Sequence, residues 1–219
     1  MIAANLLSHS IIPLKTSDTG QEALSIMSDF YVKHLPIVNN KQLLGLLSED
    51  DILDHDIEEA VGSFRLSMQR PYVKGTDHIF EVIRTMSEFN LTVIPVVDQE
   101  DNFLGLISQD DLLKFFAGIG SFTEPGSIIV FEMNKQDYSL TEIARIVESE
   151  NATILSSFIT TNLNSSKMDL TIKVNRLDIQ GIVKTFERFD YQIKASFQEA
   201  DYFETFKDRY QSLMTYLNI

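Results

Sequence analysis

The sequence predicts an α+β chain: two pseudo-symmetric βαββα repeats, a βαββαβ unit of ferredoxin-like order, and a closing helix. Three observations carry this. Gly45-Leu46-Leu47-Ser48-Glu49-Asp50-Asp51-Ile52-Leu53 returns as Gly105-Leu106-Ile107-Ser108-Gln109-Asp110-Asp111-Leu112-Leu113. A cluster of Gly118, Gly120, Ser121, Pro125 and Gly126 then punctuates the chain as a linker. Beyond it, two helical faces are set among four strand-like runs in the order that a ferredoxin-like topology requires.

The repeat extends upstream. Leu35-Pro36-Ile37-Val38 matches Ile94-Pro95-Val96-Val97, and Asp18, Ala23, Met27 and Phe30 match Asp77, Val82, Met86 and Phe89. The offset is 59 residues there and 60 from Leu44/Leu104 onward, so one residue has been gained in the turn Asp98–Asn102 relative to Asn39–Gln42. Two copies make a pseudo-symmetric pair, because a solenoid needs three or more.

Each element has a local reason. Ile11–Leu14 reads as a short strand, with Asp18 or Thr19 able to cap the helix that follows. Ala23, Ile26, Met27 and Phe30 fall on one face of that helix. His34–Asn39 and Leu43–Ser48 form a hairpin about a polar turn, and Asp51–Asp56 begins the closing helix of the repeat. The second copy reads as strand Tyr72–Val73, helix His78–Phe89, hairpin Thr92–Ser108 and helix Asp110–Ala117. Pro36 and Pro95 donate no ladder bond and are expected at a strand start or an edge. In the third part, Ile128–Met133 and Ile154–Thr160 are strand-like, and Met168, Leu170, Ile172 and Val174 alternate with polar residues. Leu140, Ile143, Ala144 and Val147 form one helical face, and Ile179, Ile182, Val183 and Phe186 the other. Tyr191, Ile193, Ala195 and Phe197 alternate as the last strand. Phe203, Phe206, Tyr210, Leu213 and Leu217 follow heptad spacing, a seam that packs on its own chain or between subunits.

Composition narrows the function. The 219 residues carry 18 Lys and Arg against 32 Asp and Glu, a net charge of −14, which disfavours nucleic acid and anionic membrane surfaces. No apolar run reaches the roughly 20 residues of a membrane span. The start Met-Ile-Ala-Ala-Asn lacks a basic secretory region, and cysteine is absent, so a cytoplasmic protein without thiol chemistry is expected. The adjacent pairs Asp50/Asp51 and Asp110/Asp111 point differently on a helix and make poor acid–base dyads. Asp54-His55-Asp56 with Glu58 and Glu59 reads as a solvated acidic segment or, less simply, as metal ligands. No catalytic constellation stands out, so no enzyme activity is expected.

Ser48 lies where a strand gives way to a helix, with Asp51 three residues on, and Ser108 and Asp111 repeat the arrangement. One reading is a helix N-cap, close to a capping box. The other is a ligand site: helix-start amides and the hydroxyl face a phosphate, and the aspartate accepts from a ribose diol. Recurrence at matching places favours a site.

These motifs resemble a tandem pair of CBS domains (a Bateman module), whose repeats carry G-h-x-[ST]-x-x-D after an h-P-h-h strand. The resemblance covers CBS domain 1 at 1–57 and CBS domain 2 at 58–118. It implies two clefts between the repeats that bind an adenosine-containing ligand: AMP, ADP, ATP or S-adenosylmethionine, with or without magnesium. Carried over by position, one cleft takes Ser108 and Asp111 with Ile12, Val32, Lys33 and His34. The other takes Ser48 and Asp51 with Pro71, Leu91, Thr92 and Val93. His34 reads equally as a half-buried structural histidine.

After a linker at 119–126, residues 127–197 resemble an ACT domain, and 198–219 close the chain as a helix. Amino-acid-binding ACT domains carry D-x-x-G-x-L; here Lys135 stands for the Asp and Tyr138 for the Gly, while Leu140 is kept. A tyrosine ring fills the space that glycine leaves open to a ligand. The CBS-CBS-ACT layout resembles the acetoin-utilisation accessory protein family. The resemblance implies a homodimeric regulatory protein without catalysis that acts on an enzyme or transporter, with an interaction scaffold with empty clefts as the alternative.

Overall fold

The computed structural model describes residues 1–67, 70–119, 121–161 and 165–198 together with Met214 and Tyr216. It divides into two compact units, Met1–Phe116 and Ala117–Ile219. The predicted seam of Phe203, Phe206, Tyr210, Leu213 and Leu217 lies outside the described residues.

In the first unit, α1 (Gly20–Asp29) leads into the antiparallel pair β1 (His34–Asn39) and β2 (Gln42–Ser48), then the short α2 (Glu49–Leu53). The second repeat follows as β3 (Val73–Lys74), α3 (Ile79–Glu88), β4 (Val93–Val97), β5 (Phe103–Ser108) and α4 (Gln109–Ile119). The equivalence extends to detail. Register shifts fall at Ile37/Val38 and at Val96/Val97, and the two hairpin turns bond to each other through Phe103 N–H and Lys41 O at 2.7 Å. The extra residue of the second turn is absorbed by Asp98, whose Oδ1 accepts from the amides of Glu100 and Asn102.

Caps set the helix limits. Thr19 Oγ1 accepts from Glu22 N–H at 3.2 Å while Glu22 Oε2 accepts from Thr19 N–H at 2.8 Å, a complete capping box. Asp18 instead accepts from Lys15 N–H, ahead of the helix. Ala23 and Met27 are buried as their spacing requires, but Phe30 is 39% exposed. It follows the last helical residue as a C-cap, which turns it off the apolar face, and Phe89 does the same in the second repeat.

Two strand expectations are corrected. Ile11–Leu14 shrinks to a single parallel bridge, Leu14 to Ile37. Pro36 stands third in β1 but, in a sheet of two strands, on an edge as expected, whereas Pro95 stands third in the central strand of three. Proline is tolerated because the ladder on its N-side is minimal: Pro36 O accepts from Leu14 N–H, where the pairing amounts to one bridge, and β3 pairs only with Val96 and Val97.

The leader of each repeat lies on the other repeat. Ala3 and Ala4 donate to the carbonyls of Asp77 and Gly75 at 2.9 and 3.0 Å, and Ser8 to Leu106 O at 2.8 Å. Val61 and Gly62 donate to Asp18 O and Thr16 O at 2.8 and 3.1 Å. Leu7 and Leu66 pack into the spaces that Gly105 and Gly45 leave, and at Gly45 a Cβ would overlap Leu66 Cδ1. This exchange makes a mixed core: Val93 and Leu106 of the second repeat join Leu35, Ile37 and Leu47 of the first.

The second unit runs β6 (Ser127–Asn134), α5 (Leu140–Ser149), β7 (Ile154–Thr161), β8 (Lys167–Val174), α6 (Gln180–Arg188) and β9 (Gln192–Phe197). Its antiparallel sheet has the order β7-β8-β6-β9, the predicted ferredoxin-like arrangement. Met168, Leu170, Ile172 and Val174 all face the core, where Phe131, Phe186 and Tyr191 meet edge to face at 4.6–5.9 Å. Tyr138 packs against that core, consistent with a ring filling the place of the glycine.

Candidate functional site

The strand-to-helix junctions of the two repeats share one local geometry. Ser48 N–H and Oγ–H both donate to Asp51 Oδ2, at 3.0 and 2.7 Å, and Asp51 N–H donates back to Ser48 Oγ at 3.0 Å. Ser108 and Asp111 reproduce these bonds at 3.0, 2.6 and 3.1 Å. The amides of Glu49 and Gln109 reach back to the carbonyls of Lys33 and Thr92 at 2.9 and 3.0 Å. Strand pairing of His34 with Ser48 and of Val93 with Ser108 sets these reaches. Both junctions are therefore genuine caps, whatever else they do.

The remaining carboxylate oxygens differ. Asp51 Oδ1 accepts from Ser67 N–H at 2.8 Å, and the side chain is 3% exposed. Burial opposes its ionisation, but the donors from Ser48 and Ser67 outweigh burial and hold the pKa below the usual carboxylate range. Around it the inter-repeat leader is tied down. Phe64 stacks on His55 at 4.4 Å, Arg65 N–H donates to His55 Nε2 at 3.2 Å, and Arg70 Nη1 donates to Leu43 O at 2.8 Å. With Nε2 accepting, His55 Nδ1 carries the hydrogen it donates to Asp51 O at 2.7 Å, so both ring nitrogens serve the fold. Asp111 is half-buried, and its Oδ1 has no hydrogen-bond partner among the described residues.

Beside Ser108 opens a cavity of about 450 Å³ lined by Phe30, Tyr31, Val32, Thr92, Ser108, Gln109, Asp110 and Leu113. It brings Ser108 together with Val32 across the repeats, as the carried-over cleft requires. Thr92, assigned by position to the other cleft, lines this one. Asp111 follows Asp110 directly in the same first helical turn. Ile12 is 71% exposed and outside the cavity. Lys33 turns its ammonium to Glu49 at 3.5 Å. His34 is half-buried between the repeats, its Nδ1 accepting from Thr92 N–H at 3.2 Å, while Thr92 Oγ1 accepts from Lys33 N–H at 2.8 Å. Burial lowers the pKa of His34, opposed by Asp50 and Asp51 and assisted by Lys33.

Of the residues set beside Ser48 and Asp51, Leu91 and Val93 have no exposed surface and belong to the apolar cores, and Pro71 is buried. Alternation along β4 buries every residue because both its faces are covered. Sequence reasoning also missed Phe30, Tyr31, Gln109, Asp110 and Leu113. Leu113 left a trace as the repeat of Leu53; both are exposed, at 70% and 68%, where an apolar pattern predicts burial.

The comparisons with known proteins fall on the same stretches. A family model for the CBS domain matches residues 3–58 and again 61–118, just over half of the chain. The magnesium transporter MgtE of Thermus thermophilus is 31% identical over 117 residues, 51% of this chain and 26% of its own length. A CBS domain pair/ACT domain protein of Thermotoga maritima superposes with a TM-score of 0.48 at 22% identity, covering 53% of this chain and 96% of that one. CBSX2, solved in complex with AMP, gives a TM-score of 0.44 at 19% identity, covering 52% of this chain and 94% of that one. The chain spans less than half the length of the curated relatives it matches, which include homoserine O-acetyltransferases and an inosine-5'-monophosphate dehydrogenase. Repeat, doubled cap, exchanged leaders and family match coincide over the first unit: the chain belongs to the CBS-domain family and carries two such domains in tandem.

Proposed function

We propose that this chain is a regulatory protein without catalysis of its own, and that it holds an adenosine-containing ligand at the cleft of Ser108 and Asp111. The observation that carries the reading is the difference between the aspartates: Asp111 Oδ1 has no hydrogen-bond partner among the described residues and belongs to the junction whose Ser108 and Asp110 line a cavity, whereas Asp51 Oδ1 is bonded by Ser67 N–H. Asp111 would accept from the ribose diol, with Val32 and Thr92 on the opposite wall. Ser48 and Asp51 act as a cap closed by Ser67, which supports the empty-cleft alternative for that half alone. We place the regulated target, an enzyme or transporter, with a cytoplasmic homodimer. Phe30, Leu53, Phe89 and Leu113 are exposed at equivalent places in both repeats and support self-association. Among the described residues no helix is long and apolar enough to cross a membrane.

The test is a thermal-shift panel of AMP, ADP, ATP, S-adenosylmethionine and NAD. A ligand that binds only the native state, at 100-fold above its dissociation constant, stabilises by about 2.7 kcal/mol. Asp111→Ala should abolish the shift, and Asp51→Ala, measured where it remains folded, should retain it. A panel with no response removes the reading, and light scattering that gives a monomer mass at micromolar concentration removes the homodimer.

A further inference from the structure

We infer that the Ser108 cleft selects an adenosine derivative that brings positive charge, an adenosyl sulfonium or ammonium, over phosphate-bearing nucleotides. The inference rests on the adenosine reading above and names the ligand class for that site. Among the side chains lining the cavity, Asp110 alone carries a formal charge, and that charge is negative. Phe30 and Tyr31 add two aromatic rings, and Tyr31 is 95% exposed. Aromatic faces beside a carboxylate attract cations more than anions.

Two backbone amides that could face a phosphate are already engaged. At the start of α4, Gln109 N–H is taken by Thr92 O and Asp111 N–H by Ser108 Oγ, and both Asp110 and Asp111 oppose an incoming anion. Of the nearby cations, Lys33 pairs with Glu49 at 3.5 Å and Lys114 with Asp110 at 2.5 Å. The wider field agrees: residues 1–120 hold 8 Lys and Arg against 18 Asp and Glu, a net −10. Both ion pairs are exposed and neutralise their members little, so the negative sign of the site rests on this acidic excess with Asp110 in the cavity wall.

Calorimetry in magnesium-free buffer on the full chain decides the matter, with adenosine, S-adenosylmethionine, S-adenosylhomocysteine, AMP and ATP as probes. S-adenosylhomocysteine lacks only the methyl group that makes the sulfur cationic. Unit charges roughly 6 Å apart in a partly solvated site interact strongly enough that S-adenosylmethionine should bind about tenfold tighter than S-adenosylhomocysteine. Adenosine should exceed AMP, and AMP should exceed ATP. Asp110→Asn, at an exposed position where the fold is retained, should shrink the sulfonium preference by about threefold or more. AMP or ATP tighter than adenosine, or no sulfonium preference, overturns the charge inference and leaves the adenosine reading standing. An unchanged preference in Asp110→Asn overturns the inference as built on this carboxylate. If none of the five probes binds, both fall together.

Discussion

Asp51 and Asp111 occupy equivalent positions 60 residues apart and bond their serines alike, yet the second oxygen of one carboxylate is bonded by Ser67 N–H and that of the other has no partner among the described residues. The difference comes from the leaders rather than the motifs. The amide of Ser67 reaches Asp51, while the amide of Ser8, in the corresponding leader, goes to Leu106 O. One hydrogen bond thus separates a structural cap from a candidate site. A repeated motif specifies the local cap; what lies over it depends on a segment elsewhere in the chain.

The comparison breaks most readily at the aspartates. Asp51→Ala leaves the amides of Ser48 and Ser67 unpaired in a buried place, and should cost about 3 kcal/mol in urea denaturation. Asp111→Ala, half-exposed and with one oxygen unused, should cost about 1 kcal/mol. Equal losses would mean that Ser67 contributes nothing to the asymmetry.

Ligand stoichiometry comes next. Calorimetry should count one adenosine ligand per chain, with the stabilisation of about 2.7 kcal/mol at 100-fold excess over the dissociation constant arising from the second cleft alone. A stoichiometry of two shows that the leader yields the first cleft to ligand.

A smaller effect isolates the latch. Ser67→Pro removes the donated N–H and should destabilise by about 1–2 kcal/mol. Ser67→Ala keeps it and should stay within about 0.5 kcal/mol. Similar losses in the two variants would place the interaction in the side chain, against the geometry seen.

The smallest effect concerns pH. Burial depresses His34 below its ordinary value of about 6.5, so the folded state binds fewer protons there than the unfolded chain. Its contribution is complete above about pH 6.5 and declines as pH falls from there through the folded pKa. Asp51, also depressed, loses its contribution in a lower window, below about pH 3.9 and through its folded pKa. His34→Gln should flatten stability between pH 7 and about 5.5 and leave the more acidic decline in place. A wild-type slope in the variant would assign the titration elsewhere.

Much of this was legible in the sequence because its causes are local. Caps act over three residues, so Ser48/Asp51 and Ser108/Asp111 could be paired before any coordinates. Alternation in β8 and helical spacing in α5 and α6 likewise report a single face. Phe30 failed because periodicity does not register where a helix stops; the chain leaves α1 after Asp29. The burial of Leu91 and Val93 was not legible, because a positional carry-over does not report that a strand is covered on both faces.

By itself, then, the sequence determined the two repeats, their caps, the ferredoxin-like order and the acidic character, since each depends on residue types at short, regular spacings. Tertiary structure alone decided that Ser67 closes Asp51, that Leu66 fills the space at Gly45, and that Tyr31 meets Gln109 and Asp110 around one cavity. Those meetings join segments 16, 21 and nearly 80 residues apart, and no period in the chain encodes them. The physical reason is that neither repeat buries its own glycine-bearing strand. Each must borrow a leader, and the path of that leader fixes which cap stays open.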